Sequence, residues 1–205
     1  MAASAAPPPQ IRSGETGLAS WYGHPYHGRA ASNGEIYDME KLTAAHRTLS
    51  FGTMVHVTNL ANSKSVDVRI IDRGPFIEGR VIDLSHAAAQ AIDLIGPGIA
   101  QVRLDILSAP QNLSADNLYA VQAGAFRDRD RAEHLRATME REYGSARLVL
   151  RPGSPSLWRV LVGRESTEEA AGILAQRLRA EVGPAFIVRL DEPSASVAGA
   201  TGSQP

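Results

Sequence analysis

The apolar periodicity of this 205-residue chain changes once, near residue 110, and that change restricts it to two differently built units. Between residues 17 and 107 the signal is mostly period-two. Val55/Val57, Val66/Val68/Ile70 and Val102/Leu104/Ile106 alternate with polar partners, as half-buried strands do. Two short helical patches are expected inside this stretch. One is Leu42–His46; the other is Ser85–Leu94, where Ser85 can cap the run that follows. Many short strands with Gly, Pro and Asn turns predict a small closed barrel rather than a layered α/β sheet.

From residue 119 the pattern becomes strand–helix–strand–strand–helix–strand. Strands are expected at Tyr119–Phe126, Arg147–Leu150, Leu157–Val162 and Ala185–Leu190. Helices are expected at Arg131–Tyr143 and Thr167–Val182, giving an α+β unit with helices on one sheet face. The fold class is therefore mainly β plus α+β. The organisation is a leader over 1–16, a barrel over 17–107, a linker over 108–118, the α+β unit over 119–190 and a low-complexity tail over 191–205.

Composition narrows the function by exclusion. A net charge of −1 gives no overall pull toward nucleic acid or anionic membrane. Residues 119–190 hold twelve Arg against nine acids, too weak an excess for phosphate-backbone binding. There is no cysteine, so disulfides and thiolate metal sites are unavailable. No stretch approaches the roughly 18–20 apolar residues of a membrane span. The N-terminal Met1-Ala-Ala-Ser-Ala-Ala-Pro-Pro-Pro lacks a basic region and an apolar core, so it reads as a disordered leader rather than a signal peptide.

The densest cluster of reactive side chains lies between Ser20 and Ser85. Asp72 continues the parity of Val66, Val68 and Ile70 to a strand end, where Arg73-Gly74-Pro75 forces a turn. A carboxyl aimed at a barrel rim, partly buried, is expected to favour its neutral, proton-donating form. The alternative is an Asp that caps the turn or pairs with Arg73. Glu35 follows an Asn-Gly turn and lies on a loop free to approach the rim. His46 ends the Leu42–His46 patch, where it either meets substrate or satisfies free carbonyls. Asp38, after Tyr37, is a weaker candidate that often only closes a turn. Trp21, Tyr22, Tyr26 and Tyr37 are aromatic candidates for sugar stacking, and Arg73 for substrate contact. His24 and His27 have metal-ligand spacing, but Pro25 between them and the lack of a helical register argue against a site; no metal or cofactor is expected.

The ordered motifs Ser20-Trp21-Tyr22-Gly23, His27-Gly28-Arg29, Asn33-Gly34-Glu35-Ile36-Tyr37-Asp38, Leu42-Thr43-Ala44-Ala45-His46, Val57-Thr58-Asn59, Asp72-Arg73-Gly74-Pro75-Phe76 and Ile82-Asp83-Leu84-Ser85 resemble the rare lipoprotein A family of septal-ring lytic transglycosylases. The resemblance covers roughly 17–107. It implies a six-stranded double-psi β-barrel, with the family's functional acids on Glu35, Asp38 and Asp72 and its histidine on His46. Ala31 stands where Thr is common, Ile71 where Asn usually precedes the catalytic Asp, and Asn62-Ser63-Lys64 where Asn-Gly-Arg is usual. The reaction so implied is a carbon–oxygen lyase step. The C6 hydroxyl of N-acetylmuramic acid is tethered to the ring it attacks, so high effective molarity replaces a positioned water. Asp72 alone could then act first as acid and afterwards as base, leaving a 1,6-anhydro end.

Tyr119-Ala-Val-Gln-Ala-Gly-Ala-Phe126 and Leu157-Trp-Arg-Val-Leu-Val-Gly163 resemble a SPOR domain over 119–190, a family that binds septal peptidoglycan stripped of stem peptides. Gln122 matches its binding glutamine; Ala125 replaces a position that can be Ser. Trp158 stands where an aromatic often contacts glycan, yet it shares parity with Val160 and Val162 and so also fits the helix-covered face. RNA-recognition domains share the element order, but the paired aromatics they stack bases on are missing. The joint expectation is a monomeric endo-acting lytic transglycosylase that prefers peptide-free septal glycan. It would work in the periplasm or cell envelope at the division septum, among division-site proteins, with no nucleic-acid partner. The competing readings are a non-catalytic glycan-binding or division module and a hydrolase that leaves reducing ends.

Overall fold

The computed structural model describes residues 14–110, 118–151 and 155–190. The expected tail, most of the leader and most of the linker lie outside the described residues.

The first unit is a closed barrel of six strands: β1 (Glu15–Tyr22), β2 (Thr43–Ala45), β3 (Met54–Asn59), β4 (Ser65–Asp72), β5 (Arg80–Ser85) and β6 (Ala100–Ser108). Around the barrel the order is β1-β5-β2-β4-β3-β6, with β1 also pairing antiparallel to β6. β1 runs parallel to β5 and β2 parallel to β4; the other pairings are antiparallel. β1 starts at Glu15, two residues before the expected barrel edge.

Alternation built this barrel as the sequence implies. Val55 and Val57, Val66, Val68 and Ile70, and Val102 and Leu104 all point into one core with Ile82 and Leu84. The short helix α1 (His86–Ala91) closes one end, with Ser85 accepting the Ala88 N–H at 3.2 Å as its cap. The helical expectation for Leu42–His46 was wrong: Thr43–Ala45 is strand β2, buried throughout and sandwiched between β4 and β5. Two strand neighbours outweigh the helix preference of an Ala pair.

β1 and β5 approach closely at Gly17, where an added Cβ would stand 2.4 Å from Val81 Cγ1. Gly17→Ala is expected to destabilise the barrel by about 1–3 kcal/mol through overpacking, seen as a lower melting temperature with the SPOR-like unit unaffected.

The second unit is a four-stranded antiparallel sheet, β7 (Leu118–Phe126), β8 (Ala146–Arg151), β9 (Leu157–Glu165) and β10 (Phe186–Leu190), in the order β10-β7-β9-β8. Helices α2 (Arg129–Tyr143) and α3 (Glu168–Val182) cover one face. Asp128 and Thr167 cap their N-termini, each accepting a backbone N–H three residues on. The helix-covered face holds Val121, Ala123, Val160 and Val162 against Met139, Ala175 and Leu178. Opposite parity puts Gln122, Arg159, Leu161 and Phe186 on the other face, which lies against the barrel. There Arg189 N–H donates to the Arg47 carbonyl at 3.0 Å, and the Phe76 and Phe186 rings meet edge to face at 6.1 Å. Among the described residues no helix is long and apolar enough to cross a membrane.

Candidate active-site cleft

A cavity of about 860 Å³ opens where the barrel rim meets the uncovered sheet face. The barrel contributes Ser20, Tyr22, Tyr26, Asp72 and Asp83; the sheet contributes Gln122, Arg151, Arg159 and Phe186.

Asp72 lines it because β4 ends there and the chain turns at once. The residue is 5% exposed. Its Oδ1 accepts the Ser32 N–H at 3.1 Å, the Arg73 N–H at 2.8 Å and the Ser32 hydroxyl. Its Oδ2 faces the Arg151 guanidinium of β8 at 3.3 Å. The turn cap weighed as an alternative for Asp72 is also present, in the bond from the Arg73 N–H. Every described hydrogen-bonding partner of this carboxyl is a donor. A hydroxyl reaches Asp72 from Ser32, one residue past Ala31. Ile71 packs with Ala31 and Tyr37 in a small apolar cluster of its own, facing away from the barrel core.

The other expected acids and the histidine do not converge on Asp72. Glu35 is exposed and forms a two-pronged ion pair with Arg69 at 2.7 and 2.8 Å, which holds its carboxyl below the usual range. His46 is 4% exposed, but its imidazole turns into a second cavity lined by Glu15, Arg47 and Glu168. There Nδ1 accepts the Thr48 and Leu49 N–H groups at 3.2 and 3.1 Å, leaving Nε2 to donate to Glu15 at 3.1 Å. Only the backbone of His46 touches the neighbourhood of Asp72, its N–H donating to the Asp72 carbonyl at 3.1 Å. Asp38 closes a turn by accepting the Glu40 N–H at 3.0 Å.

Two of the expected substrate contacts, Tyr37 and Arg73, have their polar groups engaged within the barrel unit. Tyr37 is 2% exposed and its hydroxyl donates to the Tyr22 carbonyl at 2.6 Å, so it stacks beneath Tyr22 (4.4 Å between rings) and does not line the cleft. Arg73 lines the cleft, but its guanidinium is held by the loop beside it. Its guanidinium donates to the His46 and Leu49 carbonyls at 3.0 and 2.8 Å and lies 3.8 Å over the Phe51 ring. Arg73→Lys removes the planar fork and the stacking together. It is expected to cost about 1–3 kcal/mol of stability, measured by chemical denaturation, because the loop that Arg73 and His46 brace loses its anchor.

Tyr22 does line the cleft, and its hydroxyl is buried with no hydrogen-bond partner among the described residues. Burial first, then the Asp72 charge, pushes its ionisation far upward. In the sheet, Gln122 is 4% exposed and accepts the Arg159 Nε–H. Arg159 lies 4.3 Å over the Phe76 ring, and burial brings its ionisation down to about 10. Trp158 is on the helix-covered side, packed into the core of its unit with Arg129 over its ring at 5.1 Å, so of its two possible faces the structure takes the core one. The residues that sequence reasoning missed are Ser32, Asp83, Arg151 and Arg159. For Asp83 a signal existed: a carboxylate interrupts the apolar run Val81-Ile82-Asp83-Leu84. No group of three or more His, Asp or Glu among the described residues is arranged to hold a metal.

With fold and cleft defined, comparison with known proteins places both units. Residues 14–104 match the lytic transglycolase double-psi barrel family and residues 115–189 match the SPOR domain family. A protein of Campylobacter jejuni named endolytic peptidoglycan transglycosylase RlpA is 49% identical over 113 residues, covering 54% of this chain and 41% of that protein. A Synechocystis protein named probable endolytic peptidoglycan transglycosylase RlpA is 60% identical over 91 residues, 44% of this chain and 28% of that one. The Vibrio cholerae protein named endolytic peptidoglycan transglycosylase RlpA is 54% identical over 94 residues, 46% of this chain and 36% of that one. The chain thus carries a lytic transglycolase barrel domain followed by a SPOR domain and is similar to RlpA proteins over the barrel, and the stretch it shares spans less than half the length of each of these relatives.

Proposed function

We propose that the chain is an endo-acting lytic transglycosylase that cleaves the MurNAc–GlcNAc bonds of peptidoglycan and leaves 1,6-anhydro-MurNAc ends, preferring glycan without stem peptides. One observation carries the reading. The cleft around Asp72 holds two buried polar atoms with no partner among the described residues, Tyr22 Oη and Arg159 Nη2. Leaving such an atom unmet costs about 1–3 kcal/mol, and a ligand dense in hydroxyl and amide groups offers partners to both. Tyr26 and Phe186 supply apolar faces for sugar rings in the same cavity. The likeness of the barrel to proteins named as peptidoglycan transglycosylases supports the bond, and the SPOR match supports the polymer.

In this reading Asp72 is the carboxyl that handles protons at the reaction centre, with Ser32, Arg73 N–H and Arg151 fixing its position. Glu35, Asp38 and His46 act at a distance, by shaping the loops around it. Gln122 serves glycan binding from the sheet side. The substrate implies a cell-envelope location, with septal placement and division-site partners following from the SPOR unit. A second reading, a binding module without catalysis, draws on the failure of Glu35 and His46 to join Asp72. Digestion of isolated sacculi separates them. The enzyme releases soluble fragments with anhydro ends, detected by mass spectrometry, whereas a binding module sediments with intact sacculi and releases none.

In the second unit, Gln122→Ala is expected to weaken binding to peptide-free glycan by roughly tenfold, the loss of a well-made polar contact, in a sedimentation assay. Unchanged binding would remove Gln122 from the glycan face.

A further inference from the structure

Asp83 has no part in the scheme above, yet it faces the same cavity as Asp72, Ser20 and Tyr22. It projects from β5, where its carboxylate takes the Ser20 hydroxyl of β1 and the Arg80 guanidinium at 3.1 Å. Gly74, in the turn just after Asp72, keeps its own side free: an added Cβ there would stand 3.7 Å from Asp83 Oδ2. The turn carrying Asp72 and the strand carrying Asp83 thus meet across one patch of cleft wall.

Donors meet both carboxyls, the Ser20 hydroxyl and Arg80 at Asp83 and a larger set at Asp72. Asp72 is ringed by donors. Burial pushes the Asp83 carboxyl above the usual range, and the Asp72 charge adds to that push; the Ser20 hydroxyl, Arg80 and Arg151 pull the other way without cancelling it. The Tyr22 phenol feels both Asp72 and Asp83, which places all three within electrostatic reach. The groups that bear on Asp83 are therefore Ser20 and Tyr22 of β1, Asp72 of β4, Arg80 of β5 and Arg151 of β8. Two carboxyls that line one cleft can divide acid and base work between them.

We propose that Asp83 is a second catalytic carboxyl of this cleft, delivering the proton to the leaving glycosidic oxygen while Asp72 receives the proton of the attacking C6 hydroxyl. The inference rests on the transglycosylase reading and refines it. Asp83 gives its proton to the bridging oxygen as the C1–O bond breaks. The C6 oxygen forms a new bond to C1 and its proton passes to the Asp72 carboxylate. One proton leaves and one is taken up, no water is consumed, and exchange with solvent resets both groups once product departs.

Kinetics on purified peptide-free glycan, followed by the appearance of anhydro ends, tests it. Asp83→Asn is expected to lower kcat at least about a hundredfold, the usual contribution of a positioned acid, with glycan sedimentation and melting temperature retained. Ser20→Ala removes a donor that holds the Asp83 ionisation down, so the alkaline limb of the kcat/KM profile is expected to move to higher pH. Wild-type activity combined with a fully active Asp83→Asn, or an alkaline limb that stays in place in Ser20→Ala, overturns the role of Asp83 and leaves the transglycosylase reading standing. No anhydro ends from the wild type overturns that reading as well. Should Asp83→Asn not fold, the Ser20→Ala profile decides.

Discussion

Asp72→Asn is expected to reduce glycan cleavage by about a hundred- to ten-thousand-fold, the range spanned by positioned acid–base groups, while leaving glycan binding largely in place. Asparagine is nearly the same size, and its amide oxygen can still accept the Ser32 and Arg73 N–H groups that hold the residue. What it loses is the ability to exchange a proton on the timescale of the reaction. The change therefore separates positioning from chemistry. A melting temperature close to wild type together with lost turnover is the expected pair of results. Full activity would take Asp72 out of the reaction centre.

The second large effect is on stability. Ile70 lies two residues before Asp72 on β4 and is wholly buried in the barrel core. Its backbone is also pinned, donating to the Thr53 carbonyl at 2.9 Å and accepting the Gly52 N–H at 2.8 Å. Ile70→Ala leaves a cavity beneath the catalytic turn and is expected to cost about 2–5 kcal/mol. That is a large share of the roughly 5–15 kcal/mol that holds a typical domain together. Chemical denaturation should show an early loss of the barrel transition with that of the SPOR unit unmoved. A cost below about 1 kcal/mol would mean the core relaxes around the gap, against the close packing described.

These two effects meet in β4, and β4 is also where the sequence is most legible. The alternation of Val66, Val68 and Ile70 points Asp72 to the rim, and the structure puts its carboxyl in the main cleft. Strand alternation and the Ser85 cap are local signals, and they carried through. The failures are all non-local. Thr43–Ala45 reads as helix in isolation, and only its pairing with β4 and β5 makes it a strand. Glu35 and His46 are where the family resemblance places the functional residues, but the directions of their side chains are decided by Arg69 and Glu15, distant in sequence. Trp158 had two faces open to it, and the packing of α2 and α3 on the sheet selects the inner one. Arg151 and Arg159 join the cleft through the docking of one unit on the other, which no periodicity within either unit reports.

In the proposed reaction a tethered sugar hydroxyl, and not water, attacks the anomeric carbon. Digestion of peptide-free glycan in water enriched in oxygen-18 tests it most directly, with the new sugar ends read by mass spectrometry. Tethered attack gives ends lighter by one water than a hydrolysis product and free of the heavy isotope. Reducing ends that carry one oxygen-18 atom per cleavage would contradict it.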